Sequence, residues 1–464
     1  MEPGNIPAEL TRTLARHVVS TSYADLPGRA VAAAKASLLD AAGVTMAAST
    51  LSPECRPFAE LARGSGPAEA TVLGFGYRCS AAEAAFSNGA MSHALDFEDA
   101  HESAPVHPNA ATVAAALALA EREGATGAGL ITALVVGCDL ASRLGLAAGT
   151  RIADAGWYPP PLLSVHGAVA AAASLLSLDE QAAMDAFSLA MCQVACTFEI
   201  VNGERSVLRS VREAFSARGA LIAADLAAAG VAGSPASFEG RHGFFAVYCG
   251  GRLDVDPLLD GLGHRFETDR ISYKAWPSCR GTHPFVAGLL KIRAEHGICA
   301  ADVRRVQLAG GPIARMLAEP RERKISPQTA IDAKFSLPFT AATALLHGEV
   351  TLESFTAQRL SDPAVLGLAR LIQCDIDPGQ PNNTASVSVE TTAGTVHREF
   401  VSQVPGDPGQ PLDPGVLERK FRDCAARAAV PLSAGQASGL VKVIGDLEHV
   451  TDVSKELSPL LAGA

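Results

Sequence analysis

Residues 109–123 read NAATVAAALALAERE and follow Pro108 directly. Proline fits the first turn of a helix, where its missing N–H is not needed. Alanine has the highest helix propensity and adds almost no bulk. A helix that is apolar all round must lie inside other helices. The same texture recurs in HGAVAAAASLLSL (166–178), which follows the prolines at 159–161, in DEQAAMDAFSLAMCQVACTF (179–198) and in SARGALIAADLAAAG (216–230). Upstream, Leu10, Leu14 and Val18 recur at helical spacing, as do Val31, Leu38 and Leu39, with Pro27 opening the second helix. The first two-thirds therefore reads as one large all-helical domain whose helices approach closely through small side chains.

Near residue 267 the texture changes. VRRVQLAG (303–310) alternates as a strand, and TASVSVETTAGTVHREF (384–400) reads as a hairpin with Gly394 in its turn. Between them SPQTAIDAKFSLPFTAATALLHG (326–348) is helical, with an interruption expected at Pro338. A smaller α+β lid domain is thus expected over 267–405, followed by a Pro/Gly linker at 406–412. VLERKFRDCAARA and SAGQASGLVKVIGDL return to helix beyond it. This tail is expected to pack back on the helical domain, giving 1–266 with 413–464. The fold class is mainly α.

A chain of 464 residues is long enough for two domains. Its net charge of −11 argues against nucleic acid or an anionic membrane as partner, but leaves room for a small anionic substrate in a local basic pocket. Ten cysteines sit mostly in apolar runs, and the N-terminal MEPGNIPAELTRTLARHVVS lacks the apolar core of a secretory signal. Free buried thiols and a cytoplasmic location are expected. Cys192 and Cys196 of CQVAC are expected on one helix face, as core residues rather than a metal pair. The alanine-rich runs are broken by charges, so no membrane span is expected.

The stretch SHALDFEDAHESAPVHP (92–108) concentrates His93, His101 and His107 with Asp96, Glu98, Asp99 and Glu102. Helical spacing places His93 and Asp96 one turn apart on one face, with a loop from Glu98 to Val106. His107 then opens the next helix, where the positive end of the dipole favours a neutral imidazole. Such an imidazole is a competent general base. His93, Asp96, His101 and His107 could alternatively bind a metal, or form a structural polar network; their spacing matches no metal signature. A second cluster, SYKAWPSCRGTHP (272–284), holds Lys274, Trp276, Ser278, Cys279, Arg280, Thr282 and His283 near the domain border. Arginine offers a planar fork for a carboxylate and lysine a movable charge. DAGWYPPPLLSVHG places Tyr158 and His166 around the three prolines, and GERSVLRSVREAFSARG carries Arg205, Arg209, Arg212 and Arg218. The lone GFG at 74–76 has no strand–helix context for a dinucleotide.

In this order the clusters resemble the MmgE/PrpD family, which includes 2-methylcitrate dehydratase, cis-aconitate decarboxylase and iminodisuccinate epimerase. NGAMSHALDFEDAH is similar to the family's NGxxxHxLDFDD, and KAWPSCRGTH to its Lys-Pro-Tyr-Pro-x-Cys-x-x-x-His segment. AKFSLPF and LERKF also match, so the resemblance covers nearly the whole chain. It implies a helical domain with an α+β lid, a pocket between them, a homodimer, and no metal or organic cofactor. It places Asp96, His107, Lys274 and His283 at active-site positions. This chain departs from the pattern at Glu98 and Ala100, where the family usually has Asp and Thr. Tyr158 stands where histidine is frequent, Arg209 where lysine is usual, and Phe339 where tyrosine is common.

The resemblance implies removal of a proton or a carboxylate beside a carboxylate group, in a small di- or tricarboxylic acid. His107 is then the expected base, with Asp96 orienting a neighbour, Lys274 stabilising charge, and Tyr158 or His283 as acid. Arg280, Arg209, Ser278 and His101 are the expected substrate-binding residues. Three functions follow: a dehydratase-type lyase first, an epimerase or decarboxylase as alternative, and a carboxylate-binding homologue with altered catalysis as third.

Overall fold

The structure is a computed structural model that describes residues 6–202 and 206–463. The chain divides into two compact units, one of residues 1–94, 98–272 and 413–464, the other of residues 95–97 and 273–412. It is mainly helical, with small sheets.

The larger unit is a packing of small-residue helices. Pro108–Glu123, Gly127–Ala148, Pro159–Leu175 and Glu213–Ala228 pack against one another, and Ala81–Ala94 joins them. Close approach is visible where Gly127–Ala148 meets Pro159–Leu175. A Cβ at Gly137 would stand 2.7 Å from the Gly167 carbonyl oxygen and 2.6 Å from Thr112 Cγ2. One at Gly167 would stand 2.6 Å from the Gly137 carbonyl oxygen. These two glycines let two backbones touch, as the alanine texture of the sequence predicts. Gly28–Leu51 and Gly127–Ala148 are long and apolar enough to cross a membrane by length and composition, but their most apolar windows are 72% and 94% buried within the protein. The tail returns to this unit: Pro414–Ala425 packs on Gly28–Leu51, Phe421 lies against Gly43, and Lys420 pairs with buried Asp40 at 2.7 Å.

This unit is not purely helical. Strands β1 (Ala70–Val72) and β2 (Tyr77–Cys79) pair antiparallel, as do β3 (Ala100–His101) and β4 (Ile271–Ser272). Ala100 faces Ser272 in that ladder, so the missing threonine hydroxyl falls in a strand rather than a loop.

The smaller unit holds one four-stranded sheet. Its strands are β5 (Val303–Gly310), β6 (Ile372–Ile376), β7 (Ala385–Thr391) and β8 (Val396–Val401), in the order β6-β5-β7-β8. The β5–β6 pair is parallel and the others are antiparallel. Gly394 sits in the β7–β8 turn at φ 84°, which glycine adopts without strain. Helix His283–His296 covers β7 and β8, and helix Leu337–His347 packs on it, with Phe285, Leu289, Val306, Leu308, Phe339 and Val387 in the core.

Three local expectations differ from the structure. Pro338 does not break a helix; Ala330–Lys334 ends first, Ser336 caps the next helix through Phe339 N at 3.0 Å, and Pro338 sits in its first turn. The helix from Glu180 ends at Ala190, so Cys192 and Cys196 share no helix face; Cys192 is exposed. The arginine run is split between Leu208–Val211 and Glu213–Ala228, and Arg205 lies outside the described residues.

Candidate active site

The chain reverses sharply after helix Ala81–Ala94. Asp96 takes a left-handed backbone at φ 49°, a conformation open to aspartate at modest cost. It therefore does not share a helix face with His93. The turn instead sends Asp96 and Glu98 to different partners.

In the larger unit Glu98 lies between two histidines. Its Oε1 is 2.5 Å from His93 Nδ1 and 2.9 Å from His107 Nδ1. His107 Nδ1 also lies 2.8 Å from the Asp99 carbonyl oxygen. The two rings are 5.0 Å apart at 54°. His93 and Glu98 are buried, whereas the His107 side chain keeps 21% exposure. His107 precedes Pro108 as N-cap of its helix, as the sequence predicts. Burial first, and then the Arg212 charge, push His93 down to about 3. Asp99 is lifted to about 7 by burial. Its Oδ2 accepts from Asn109 Nδ2 at 2.9 Å, and that amide also donates to Ser37 Oγ at 3.0 Å.

Arg212 and Glu213 extend this cluster. Arg212 Nε stands 3.0 Å from Glu213 Oε1, both side chains buried, and Arg212 donates to the Arg209 carbonyl oxygen at 2.7 Å. Burial raises the Glu213 carboxyl, and the nearby Arg212 and His107 oppose that. Tyr158 caps helix Pro159–Leu175, its ring edge-on to Phe198 at 5.6 Å and 5.4 Å from the Arg212 guanidinium carbon. His166 is elsewhere, caged by Phe187, Phe238 and Phe244, and burial alone pushes it down to about 3.

His101 is a fixed structural link. Its Nδ1 accepts from the backbone N–H groups of Ser103 and Ala104 at 3.1 and 2.9 Å, and its Nε2 meets Glu267 Oε2 at 3.2 Å. Both ring nitrogens are thus engaged by protein, and the ring is buried.

In the smaller unit Asp96 pairs with Lys274 at 2.5 Å, both fully buried. His283 opens its helix with Nε2 3.2 Å from the Ser278 carbonyl oxygen. Its ring meets Trp276 edge-on at 5.1 Å. Burial, and then the Arg280 and Lys274 charges, hold it well below the usual imidazole range. The Ser278 and Thr282 hydroxyls bond each other at 2.8 Å. Arg280 pairs with Asp407, a residue of the Pro/Gly stretch that spacing alone assigns to a linker. Phe339 is buried in the core of this unit.

Among the described residues, the group whose ligand atoms could meet at a metal is His93, Glu98 and His107, within 4.8 Å of one another. The set named from spacing divides: His101 and Asp96 take other partners. Donors at zinc stand roughly 3.3 Å apart, because tetrahedral bonds are about 2.0–2.1 Å long. Contacts of 2.5 and 2.9 Å to a single oxygen are hydrogen-bond distances. The sequence names Glu98, Asp99 and Arg212 as members of charged stretches, and Glu213 not at all. The density of acids in the first stretch and an arginine beside a glutamate in an apolar run were the available signals.

The MmgE/PrpD N-terminal domain model matches residues 12–255, and the MmgE/PrpD C-terminal domain model matches residues 276–438. A cis-aconitate decarboxylase-like protein, oryM, of Aspergillus oryzae is 26% identical, over 99% of this chain and 98% of its own length. The cis-aconitate decarboxylase of Mus musculus is 25% identical over 83% of this chain and 80% of its own. That of Aspergillus terreus is 25% identical over 85% and 83%.

Proposed function

The chain belongs to the MmgE/PrpD family, and from that premise we propose that it is a cofactor-independent lyase acting on a small di- or tricarboxylic acid. The observation that carries this reading is His107, held through Nδ1 by Glu98 and the Asp99 carbonyl with its ring part-exposed. An imidazole so placed exchanges a proton at Nε2 with a carbon beside a carboxylate. The carbanion such a step passes through is an enolate-like anion, which buried cations and hydrogen-bond donors stabilise.

The relatives favour loss of carbon dioxide from an unsaturated tricarboxylate over loss of water. In that chemistry the C–CO2 bond breaks, its electron pair delocalises toward a remaining carboxylate, and a protonated His107 delivers the proton to carbon. Dehydration runs the His107 step the other way: the imidazole takes the proton and an acid protonates the leaving hydroxyl. The resemblance adds Asp96, Lys274 and His283 to the residues we propose for this reaction, and Tyr158 as a further proton donor. Arg209 in place of lysine keeps a cation but cannot itself exchange protons. We propose it for charge rather than acid–base work.

The test is chelator-treated protein with cis-aconitate, methylcitrate, citrate and amino- or imino-dicarboxylates in D2O, followed by proton NMR. Release of carbon dioxide with deuterium beside a carboxylate supports decarboxylation; loss of water or inversion moves the assignment to dehydratase or epimerase. His107→Asn is expected to lower turnover by ~10²–10⁴-fold with the fold intact. Near-normal turnover in that variant would remove His107 from the reaction.

A further inference from the structure

Two acceptors around one nitrogen fix where the His107 proton sits. Nδ1 lies 2.8 Å from the Asp99 carbonyl oxygen and 2.9 Å from Glu98 Oε1. The Asp99 carbonyl only accepts, so Nδ1 carries the hydrogen and gives it to that oxygen, with Glu98 Oε1 at ion-pair distance from the same nitrogen. Nε2 then holds the lone pair. No hydrogen bond from Nε2 is formed among the described residues, and the ring retains its 21% exposure. On the other side, His93 brings its own Nδ1 to the same Glu98 oxygen at 2.5 Å. One carboxylate oxygen therefore stands against both imidazoles.

We propose that Glu98 is a positioning residue that holds His107 as the Nδ1–H tautomer, so that every proton exchanged with substrate passes through Nε2. This rests on the reading of His107 as the proton-exchanging group. Glu98 is buried, at 1% side-chain exposure, and acts through the ring rather than on substrate. When Nε2 takes a proton, the new charge is met by a carboxylate already in contact, and the ring need not turn. When Nε2 gives it up, the neutral ring keeps the same Nδ1 contacts. Glutamate reaches one methylene further than the aspartate of the resembling motif, and that reach lets one oxygen stand between both rings.

The experiment uses the full chain labelled with ¹⁵N-histidine, with His107→Asn to assign the signals. The wild-type His107 is expected to show a pyrrole-like Nδ1 and a pyridine-like Nε2. The reverse pattern would overturn the proposal whatever the substrate. With an acid that the panel shows to turn over, Glu98→Gln is expected to lower kcat by about 10- to 100-fold, as loss of a group that supports a functional imidazole commonly does, with KM changed less than about 3-fold. Unchanged kcat would also overturn it. If Glu98→Gln fails to fold, Glu98→Asp, which keeps the charge but retracts the oxygen, carries the kinetic arm with the same expected direction. The expected nitrogen pattern with no turnover of any acid would leave Glu98's hold on the ring standing and the lyase reading refuted.

Discussion

Lys274→Met isolates the energetics of the buried Asp96–Lys274 pair. Lys274 is fully buried and its Nζ stands 2.5 Å from Asp96 Oδ1, itself at 1% exposure. Removing the ammonium takes from a buried carboxylate the cation that stands against it. Loss of one member of such a pair typically costs about 3–5 kcal/mol. That is two to nearly four decades in the opening constant, since about 1.4 kcal/mol is one decade. Removing both charges is different. Asp96→Asn with Lys274→Met leaves two neutral groups of similar volume, and such replacements are often near neutral in stability. The readout is native-state hydrogen exchange in residues 273–412, read at buried β7 positions such as Val387 and Val389. Exchange there is expected to accelerate about 10²- to 10³-fold or more in the single variant and to recover most of the way in the double. Activity should stay lost in both if Lys274 stabilises charge in the reaction. A single variant with near wild-type protection, or a double as unprotected as the single, would refute the argument.

Two further perturbations test the packing. A Cβ at Gly127 would stand 1.7 Å from the Leu447 carbonyl oxygen and 3.0 Å from Val450 Cβ. Gly127→Ala is therefore expected to displace the 447–450 turn and cost roughly 1–3 kcal/mol, whereas Gly28→Ala, with nothing within 4 Å, should be neutral or stabilising by thermal denaturation. His166 is neutral in its aromatic cage, pushed from 6.5 down to about 3. The unfolded chain binds that proton first, so stability is fully present above pH 6.5 and is lost as pH falls toward 3, by up to about 1.4 kcal/mol per pH unit. His166→Leu should move the midpoint of acid unfolding to lower pH; an unmoved midpoint would show that this histidine does not govern it.

Local pattern was legible wherever a single period ruled the segment. The strand over 303–310, the hairpin around Gly394 and the helix after Pro108 were readable because burial on one face or on all faces imposes that period. Pattern failed where a cap or turn decided the outcome. Ser336 moved a helix start ahead of Pro338, Ala190 ended a helix that composition would have carried on, and the left-handed Asp96 ended another. Each is one residue's backbone geometry, which periodicity does not register.

The site was legible as a set of residue types and illegible as a set of partners. KAWPSCRGTH reads as a positive lining because its acids are not in it. Asp96 lies 178 residues before Lys274, and Asp407 is far beyond Arg280. In the larger unit, Arg212 is met by the next residue, Glu213. A charge taken out of water must be paired, so a buried cation in a folded chain arrives with its acid. Lys274, Arg280 and Arg212 are thus each met by an acid of their own unit. A substrate carboxylate at Lys274 or Arg280 would compete with an internal one already in place. On the lyase reading, a small anion would be held by hydrogen-bond donors and by partial displacement of Asp96 or Asp407. For the lyase reading this has a definite consequence: Asp96→Asn should tighten binding of a carboxylate analogue at Lys274, by removing its rival, even as it abolishes turnover. Weaker binding would mean that Asp96 holds Lys274 in place for the substrate, and that orientation, not competition, is its part in the site.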